Sequence, residues 1–331
     1  MLKVINNKIE WDELLARFVA SFLHSSEWNE VLLESGQTVE RVLVENGGAS
    51  LLALLVFKSL PFGRKFVFCP TGPLVSGGGV DNEKNWRELI KYIKEKECIF
   101  FKFEPSNVEQ LPDFVKRSKR VVRDVNPMAT MVLDVSKIVR EIFQSFHQKT
   151  RYNINLAERK GLSVKWEKNF PVFWELMKKT GARDGFGLHP EKNYAAAVSS
   201  PATRQVTIYS GNTPVAAGCF WITNDICYYL YGASDHDFRQ LMAPYLVQWE
   251  AIKMTKNARC KYYDFFGVAP RINAAGEEYE YDPKHRYAGV TRFKLGFNGR
   301  IVETPGTFDL PINRFWYGVY YLSRRLRGLK V

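Results

Sequence analysis

Short apolar runs separated by turn residues predict a series of β-strands in the first half of the chain. The runs cover residues 41–48, 50–58, 66–69 and 98–105, and each has the length of a strand. Between the last two runs, apolar residues recur at the i, i+3, i+4, i+7 spacing of an amphipathic helix: Trp86, Leu89, Ile90 and Ile93. The pattern predicts three strands, a helix and a fourth strand.

The same order of elements recurs in the second half of the chain. Strands are predicted over residues 204–211, 215–223, 226–230 and 260–267. A helix carried by Tyr245, Trp249 and Ile252 lies between the last two strands. Cys98 and Cys260 begin the equivalent fourth strands. We interpret this order as a duplicated α/β (α+β) domain; the alternative is a chance similarity between two α/β stretches.

Two further segments have helical spacing and many basic residues. Residues 136–161 predict a helix that stops at Gly161. Its second half carries His147, Lys149, Arg151, Arg159 and Lys160, which indicate either a solvated face or a contact with phosphate or RNA. Residues 315–330 predict an aromatic, basic helix. We expect this helix to pack back onto the first domain, and a peripheral membrane contact is the alternative.

The stretch 289–299, GVTRFKLGFNG, is the strongest candidate for chemistry. Val290 and Thr291 predict a strand, and Asn298 followed by glycine predicts a hairpin turn because both positions tolerate positive φ. Phe293 would anchor the backbone while Lys294 projects beside aromatic rings. A lysine held in this way can pair with phosphate or with a developing oxyanion. The alternative is a plain hairpin with a solvated lysine.

Charge and composition narrow the classes of partner. The chain has 331 residues, enough for two domains, and a formal net charge of +12. This excess favours a polyanionic partner such as tRNA, a diphosphate or an anionic membrane surface. The five cysteines form no C-x-x-C pair and lie in apolar runs, which predicts reduced core residues of a cytosolic protein.

Several well-known catalytic motifs are missing from the sequence. It contains no G-x-x-x-x-G-K-[ST], no G-x-S-x-G and no H-E-x-x-H. The five histidines lack metal-ligand spacing, so we expect no zinc site. The N-terminus lacks the apolar segment of a signal peptide, and the longest apolar run, 51–57, is too short to span a bilayer.

The duplicated unit resembles the GNAT acyltransferase architecture, in which a strand meander is followed by a helix and a strand. Acetyl-CoA enzymes of that type hold the pyrophosphate on a glycine-containing turn before the helix. The equivalent turn here, residues 239–244, contains no glycine and carries Met242, which argues against CoA. A CoA-dependent N-acyltransferase remains one alternative function, and a non-catalytic RNA- or membrane-binding protein is another.

Longer motifs resemble the Fem-type (FemABX) aminoacyltransferases, which build peptidoglycan cross-bridges from aminoacyl-tRNA. The matching runs are residues 147–161, 180–186, 229–234, 242–251, 263–267 and 289–297. The resemblance covers nearly the whole chain and is strongest from residue 136 to residue 297. It implies two tandem GNAT-like domains, expected at 1–140 with 311–331 and at 141–310. The chain has no room for the long helical arm of some members, so it is similar to the short FemX-like ones.

The resemblance also implies substrates and a location. The partners would be aminoacyl-tRNA and a muropeptide precursor, either UDP-MurNAc-pentapeptide or lipid II, with no cofactor. The protein would act as a monomer in the cytoplasm or at the inner face of the plasma membrane. One departure concerns the acceptor: FemX-like chains place a phosphate-binding lysine shortly after the pair that matches Glu27 and Trp28, and residues 29–32 contain none.

The resemblance implies functional roles for six residues. Lys294 would stabilise the oxyanion or the tRNA-side charge, and Phe293 would stack near the tRNA acceptor end. The muropeptide and its diphosphate would be bound by Tyr245, Arg204 and Arg183. Glu104, an acidic residue before proline, would accept a proton from the attacking amine; the alternative is a strand-end surface carboxylate.

Overall fold

The chain folds as two compact units. The computed structural model describes residues 1–223, 225–274 and 276–326. The first unit contains Met1–Met128 and the segment that begins at Thr304, and the second is Ala129–Glu303. Each unit has its own sheet and its own buried core, so the two are described separately.

The strands and helices follow one another in short succession. In chain order the strands are β1 Leu2–Val4, β2 Thr38–Asn46, β3 Ala49–Ser59, β4 Lys65–Cys69, β5 Leu74–Ser76, β6 Cys98–Phe103, β7 Lys119–Arg120, β8 Ala129–Asp134, β9 Ser163–Trp166, β10 Thr203–Ser210, β11 Thr213–Ile222, β12 Ile226–Ser234, β13 Tyr262–Gly267, β14 Arg300–Glu303 and β15 Phe308–Pro311. The α-helices are α1 Lys8–Leu15, α2 Ser26–Glu34, α3 Gly79–Glu95, α4 Asp113–Lys116, α5 Val139–Ser145, α6 Gln148–Arg159, α7 Phe170–Asp184, α8 Glu191–Ser199, α9 Ala243–Asn257, α10 Ala288–Leu295 and α11 Arg314–Leu326.

The sheet of the first unit has the order β1-β2-β3-β4-β6-β15-β7, with β5 paired to β3. Strands β2, β3 and β4 form an antiparallel meander, and β4 then pairs with β6 in parallel. The crossover between these parallel strands is α3, whose predicted apolar face is buried: Trp86, Leu89 and Ile93. A parallel pair needs such a crossover because the chain must return to the same end of the sheet.

The second sheet repeats this arrangement, which confirms the predicted duplication and the mixed α/β class. Its order is β14-β8-β13-β12-β11-β10-β9. The antiparallel meander β10-β11-β12 is followed by α9 and by β13, which pairs with β12 in parallel. Each sheet also gains an antiparallel strand beside its last repeat strand, β15 beside β6 and β8 beside β13.

Helices cover both faces of the second sheet. Residues of α5, α6 and α9 form one core with β10 and β13, and α7 and α8 pack on the other face. The predicted helix over 136–161 is in fact two helices, α5 and α6, separated at Phe146 and His147, and Gly161 follows α6 with a φ of 68°. All five cysteines are buried and free, as the apolar runs predicted.

Helix α11 packs on the first sheet, as expected for the tail. Tyr317 is 4% exposed and its ring meets Phe100 of β6 at a centroid distance of 5.3 Å. The predicted tail helix ran to residue 330, and residues 327–330 lie outside the described part of the chain. Within the described residues, no helix is long and apolar enough to cross a membrane.

Candidate functional site

Lys294 lies on a helix, so the predicted strand and hairpin over 289–299 are wrong. Helix α10 spans Ala288–Leu295. Its inward residues Thr291 and Lys294 are 0% and 5% exposed, and their three-residue spacing places them on one helical face. Phe297, in the turn that follows the helix, is 0% exposed. Burial of this face outweighs the strand preference of the β-branched pair Val290 and Thr291, because propensity is weaker than tertiary packing.

The prediction of a turn with positive φ at Asn298 is confirmed in part. Asn298 has a φ of 56°, the left-handed conformation predicted for it. The turn, however, joins α10 to β14 instead of joining two strands. Gly296 lies so close to α6 that a Cβ added there would meet Thr150 Oγ1 at 2.2 Å. This contact fixes the end of α10 against the sheet helices.

The two parallel strands of the second sheet separate near Lys294. Strands β12 and β13 pair over only three positions, the last of which joins Tyr228 to Asp264. Beyond that point each strand has an irregular register toward its other neighbour, at Leu230 in β12 and at Phe266 in β13. In the first unit the equivalent strands stay paired to Cys69 and Phe103, the last residues of β4 and β6. Separation of the parallel pair therefore distinguishes the second unit.

The Lys294 head group lies between the separated strands. Its Nζ donates a hydrogen bond of 2.7 Å to the Gly267 carbonyl of β13, and it lies 5.7 Å from the ring centroid of Tyr229 of β12. Phe266, the residue before Gly267, has a φ of 60°, which is uncommon for a bulky side chain. Its N–H donates to Asp264 Oδ1 at 2.7 Å, so Asp264 holds the bulge that precedes this carbonyl.

Burial controls the charge of Lys294. Desolvation lowers the pKa of Lys294 to about 7, and the nearby Asp264 carboxylate opposes this by favouring the ammonium. Desolvation likewise raises the pKa of Asp264 to about 6, against the Phe266 N–H and the Lys294 charge. A lysine with a pKa near neutrality can hold or release a proton during a reaction, which a solvated lysine cannot do at this pH.

Two of the predicted site residues, Phe293 and Tyr245, form an aromatic cluster with the helix that carries Lys294. The rings of Phe293 and Tyr245 meet edge to face at 4.9 Å, and both side chains are half-buried. Phe293 also meets the buried Phe297 at 5.5 Å. The structure thus brings Lys294, Phe293 and Tyr245 together in one part of the second unit.

The two arginines predicted for the diphosphate lie in different places. Arg204 of β10 is in register with Phe220 of β11, which is in register with Tyr229. Two strand spacings of about 4.8 Å therefore separate the Arg204 backbone from that of Tyr229. Arg183 belongs to α7 on the opposite face of the sheet, where its guanidinium pairs with Asp184 and donates to Ser234 Oγ. Along β10, Arg204 lies on the same side as Val206 and Ile208, which belong to the core against which Phe293 packs.

Glu104 belongs to the first unit and is neither exposed nor loosely held. It is 5% exposed, so the alternative of a surface carboxylate is wrong. Its oxygens accept hydrogen bonds from the Thr71 N–H, the Asn126 N–H, the Asn126 side-chain amide and the Thr307 hydroxyl, at 2.7–3.0 Å. A carboxylate has about four acceptor positions. All of them are used here, and the carboxylate joins three loops.

Sequence reasoning passed over two features. Asp264 stands inside the matched run 263–267, but nothing in the sequence indicates that it supports a bulge beside Lys294. A glycine run, Gly77–Gly79, leads into α3, which begins at Gly79, and a Cβ added to Gly77 would clash with Ala49 Cα at 2.9 Å. Among the described residues, no cluster of three His, Cys, Asp or Glu side chains could hold a metal ion.

Comparison with known proteins connects this geometry to one family. The sequence profile of the FemAB family matches residues 15–120, 114–200 and 199–325. The aminoacyltransferase FemA of Staphylococcus aureus is 31% identical over 119 residues, which are 36% of this chain and 26% of FemA. The aligned region therefore spans about a quarter of the length of this curated relative.

Solved structures support the fold. The crystal structure of FemX superimposes with a TM-score of 0.74 at 18% identity, over 96% of this chain and 99% of FemX. A tandem GNAT protein from the clavulanic acid biosynthesis pathway superimposes with a TM-score of 0.52 at 10% identity, over 94% of this chain and 98% of that one. These similarities confirm the predicted fold of two GNAT-like domains.

Proposed function

The chain belongs to the FemAB family, and from this premise we propose that it is an aminoacyltransferase that uses aminoacyl-tRNA. It would transfer the amino acid to an amine on the peptide stem of a peptidoglycan precursor. The observation that carries the proposal is the buried Lys294 head group between the separated strands β12 and β13.

The proposed transfer reaction needs a group that stabilises the negative charge of its oxyanion. The acceptor amine attacks the ester carbonyl, a C–N bond forms, and the carbonyl oxygen becomes an oxyanion. The C–O bond to the tRNA ribose then breaks, and the proton lost by the amine is transferred to the leaving ribose oxygen. Lys294, protonated, stabilises the oxyanion at the moment when the charge develops, and its low-dielectric surroundings strengthen that interaction.

The residues around Lys294 take the binding roles. Phe293 offers a half-buried ring for stacking near the tRNA acceptor end, as aromatic side chains do with bases. Tyr245 would contact the muropeptide beside it, and Arg204 would pair with its diphosphate. Arg183 is the second residue proposed to bind the diphosphate. Its guanidinium would have to leave Asp184 to contact the ligand.

Glu104 is the proposed proton acceptor. Because four donors already occupy its oxygens, the carboxylate can accept a proton only if one of these donors moves away. The Thr307 hydroxyl and the Asn126 side-chain amide are the two donors that can rotate without a change of backbone. The same residue also stabilises the first unit, so its two roles need separate measurements.

The acceptor could be linked to a nucleotide or to a lipid. The segment after Trp28 supplies no lysine for a diphosphate: Asn29 is buried, and the Trp28 ring meets Phe22 edge to face at 5.1 Å. Both UDP-MurNAc-pentapeptide and lipid II carry a diphosphate, so both are candidate acceptors in the assay described below. We propose that the protein works as a monomer in the cytoplasm, where charged tRNA is available.

A transfer assay tests the proposal. The protein is incubated with a pool of charged tRNA and either UDP-MurNAc-pentapeptide or lipid II, and the acceptor mass is measured. A mass increase of one amino acid residue that disappears when the tRNA is deacylated is the expected result. No increase with either acceptor would contradict the proposal.

The glycine run Gly77–Gly79 before α3 favours a second candidate function, a CoA-dependent N-acyltransferase, because backbone amides at such turns bind pyrophosphate. Acetyl-CoA replaces the charged tRNA in a parallel assay. An acetyl increment on the acceptor would favour this second function, whereas acceptor binding without any transfer would favour a non-catalytic role.

A further inference from the structure

Helix α11 buries one aromatic face and exposes a second, apolar one. Tyr317 and Tyr320 pack on Phe100 at ring distances of 5.3 and 4.9 Å. The opposite face consists of four side chains at i, i+4, i+7 and i+11, which we call the outer stripe: Phe315 (72% exposed), Val319 (40%), Leu322 (56%) and Leu326 (80%). Packing on the first sheet accounts for the tyrosines and leaves the outer stripe uncovered.

Arginines border the outer stripe on both flanks. Arg314 and Arg325 fall on one flank at helical spacing, and both are exposed. On the other flank the Arg64 guanidinium lies 4.2 Å from the ring centroid of Trp316. The helix contains no acidic residue. An apolar stripe between rows of arginine is the arrangement of helices that lie in a membrane interface.

A second element adds to this surface. Arg64 ends the turn between β3 and β4, and Phe62 at the tip of this turn is 85% exposed, with a φ of 61°. Two large rings, Phe62 and Phe315, therefore project from neighbouring elements of one unit, joined through Arg64 and Trp316. Because the Phe62 side chain is 85% exposed, it contributes little to the packing of the first unit.

We propose that the outer stripe, with Phe62 and its bordering arginines, docks the protein on an anionic lipid bilayer. The apolar side chains would enter the boundary between head groups and acyl chains, and Arg314, Arg325 and Arg64 would contact acidic head groups. The charge of the surface selects an anionic bilayer over a neutral one. This inference does not depend on the proposed transfer reaction, because it concerns the first unit's surface alone.

Vesicle sedimentation tests the proposal with the full chain. Vesicles of phosphatidylcholine alone are compared with vesicles that contain about one third phosphatidylglycerol. We expect binding to the anionic vesicles and little to the neutral ones. Phe315→Ser with Leu322→Ser should weaken binding at least about tenfold, and Arg314→Gln with Arg325→Gln should weaken it about fivefold for each arginine.

The matched control is Val19→Ser, which makes a similar apolar-to-polar change at a fully exposed residue of the same unit. It should leave vesicle binding unchanged. All changed side chains are exposed, so thermal melting should match the wild type, and the stripe variant should keep transfer to a soluble acceptor.

Three results would overturn the proposal. The first is an absence of binding to anionic vesicles, and the second is binding that the stripe variant leaves intact. The third is a combination of results: the wild-type protein is a dimer in light scattering and does not bind vesicles, and the stripe variant is a monomer. The outer stripe would then be a contact between two copies of the chain.

Discussion

Lys294 Nζ and the Gly267 carbonyl, 27 residues apart, form a hydrogen bond of 2.7 Å within the core of the second unit. The bond places an ammonium group at the end of β13, where that strand has left its parallel partner β12. A buried ammonium with one neutral partner is costly to keep charged. This unfavourable ammonium group lies where negative charge would develop in the proposed reaction.

Lys294→Met should remove most of the activity. The methionine keeps the stem and deletes the charge, so turnover should fall by about 10²–10³, the usual effect of losing one oxyanion-stabilising group. Binding of the muropeptide should change little. Single-turnover transfer with saturating acceptor measures the effect. Near-normal turnover, or a loss explained by acceptor binding alone, would contradict the electrostatic role.

The pH profile should carry the signature of the same lysine. Log kcat/KM should rise with pH while the acceptor amine loses its proton, and should level off above about 7, where Lys294 loses its own. Lys294→Met should continue to rise through pH 7 without this break. A break near 7 that survives in the variant would belong to another group.

Lys294→Met should raise the stability of the protein even though it lowers turnover. The folded pKa of about 7 lies below the ordinary value of 10.5, so between these two values the unfolded chain binds the extra proton. Wild-type stability therefore rises with pH across that window, and the cost of the charge is fully present below pH 7. At pH 6 the variant should melt higher by on the order of 5 °C, and the difference should shrink toward pH 10. A lower melting point for the variant at pH 6 would contradict this.

Lys102 should behave differently because its partner is charged. Its Nζ lies 2.5 Å from Asp309 Oδ1, and Asp309 is 1% exposed. Lys102→Met leaves that carboxylate buried without its cation and should cost about 3–5 kcal/mol in urea unfolding at pH 7. The control is Lys96→Met, whose pair with Glu40 is also 2.5 Å long but partly exposed, and which should cost less than about 1 kcal/mol. Equal effects would show that burial does not set the difference.

The repeated order of strands and helices was predictable because alternating apolar runs and helical spacing report local structure directly. The position of Lys294 on a helix was not, because α10 is short and its β-branched residues favour a strand until Thr291 and Phe297 are buried. Tertiary contacts decide such a segment, and a single sequence does not display them.

The family resemblance indicated Lys294, Phe293 and Tyr245 as site residues, and their roles stay predictions. The residues that support Lys294 could not be read from the sequence. Asp264 acts through the bulge at Phe266, and a bulge depends on strand register that no local pattern reveals. The burial of Glu104 depends on Thr307, 203 residues away in the chain.

Glu104→Gln should separate the two roles of that residue. The amide would face one N–H or O–H donor with a donor of its own, so unfolding free energy should fall by about 2–3 kcal/mol. The proton-acceptor role predicts in addition that turnover of the folded variant falls by about 10²–10⁴. Thr307→Val is the control: it removes the hydroxyl that donates to Glu104 and accepts from the Val125 N–H, keeps the carboxylate, and should lower stability by about 2 kcal/mol with turnover preserved. Normal turnover in folded Glu104→Gln would leave only the structural role.

Binding of tRNA should depend steeply on salt if α6 contacts phosphates. Lys149 and Arg159 at its two ends are exposed, and the chain as a whole carries +12. Each phosphate that the protein neutralises adds about 0.7–0.9 to the slope of log affinity against log salt, because condensed counterions are released. Lys149→Gln and Arg159→Gln should each reduce that slope by about this amount. Lys91→Gln on α3, an exposed lysine of the first unit, makes the same change of net charge and should leave the slope unchanged. A flat salt profile in the wild type, or an equal reduction by Lys91→Gln, would show that α6 does not hold the tRNA backbone.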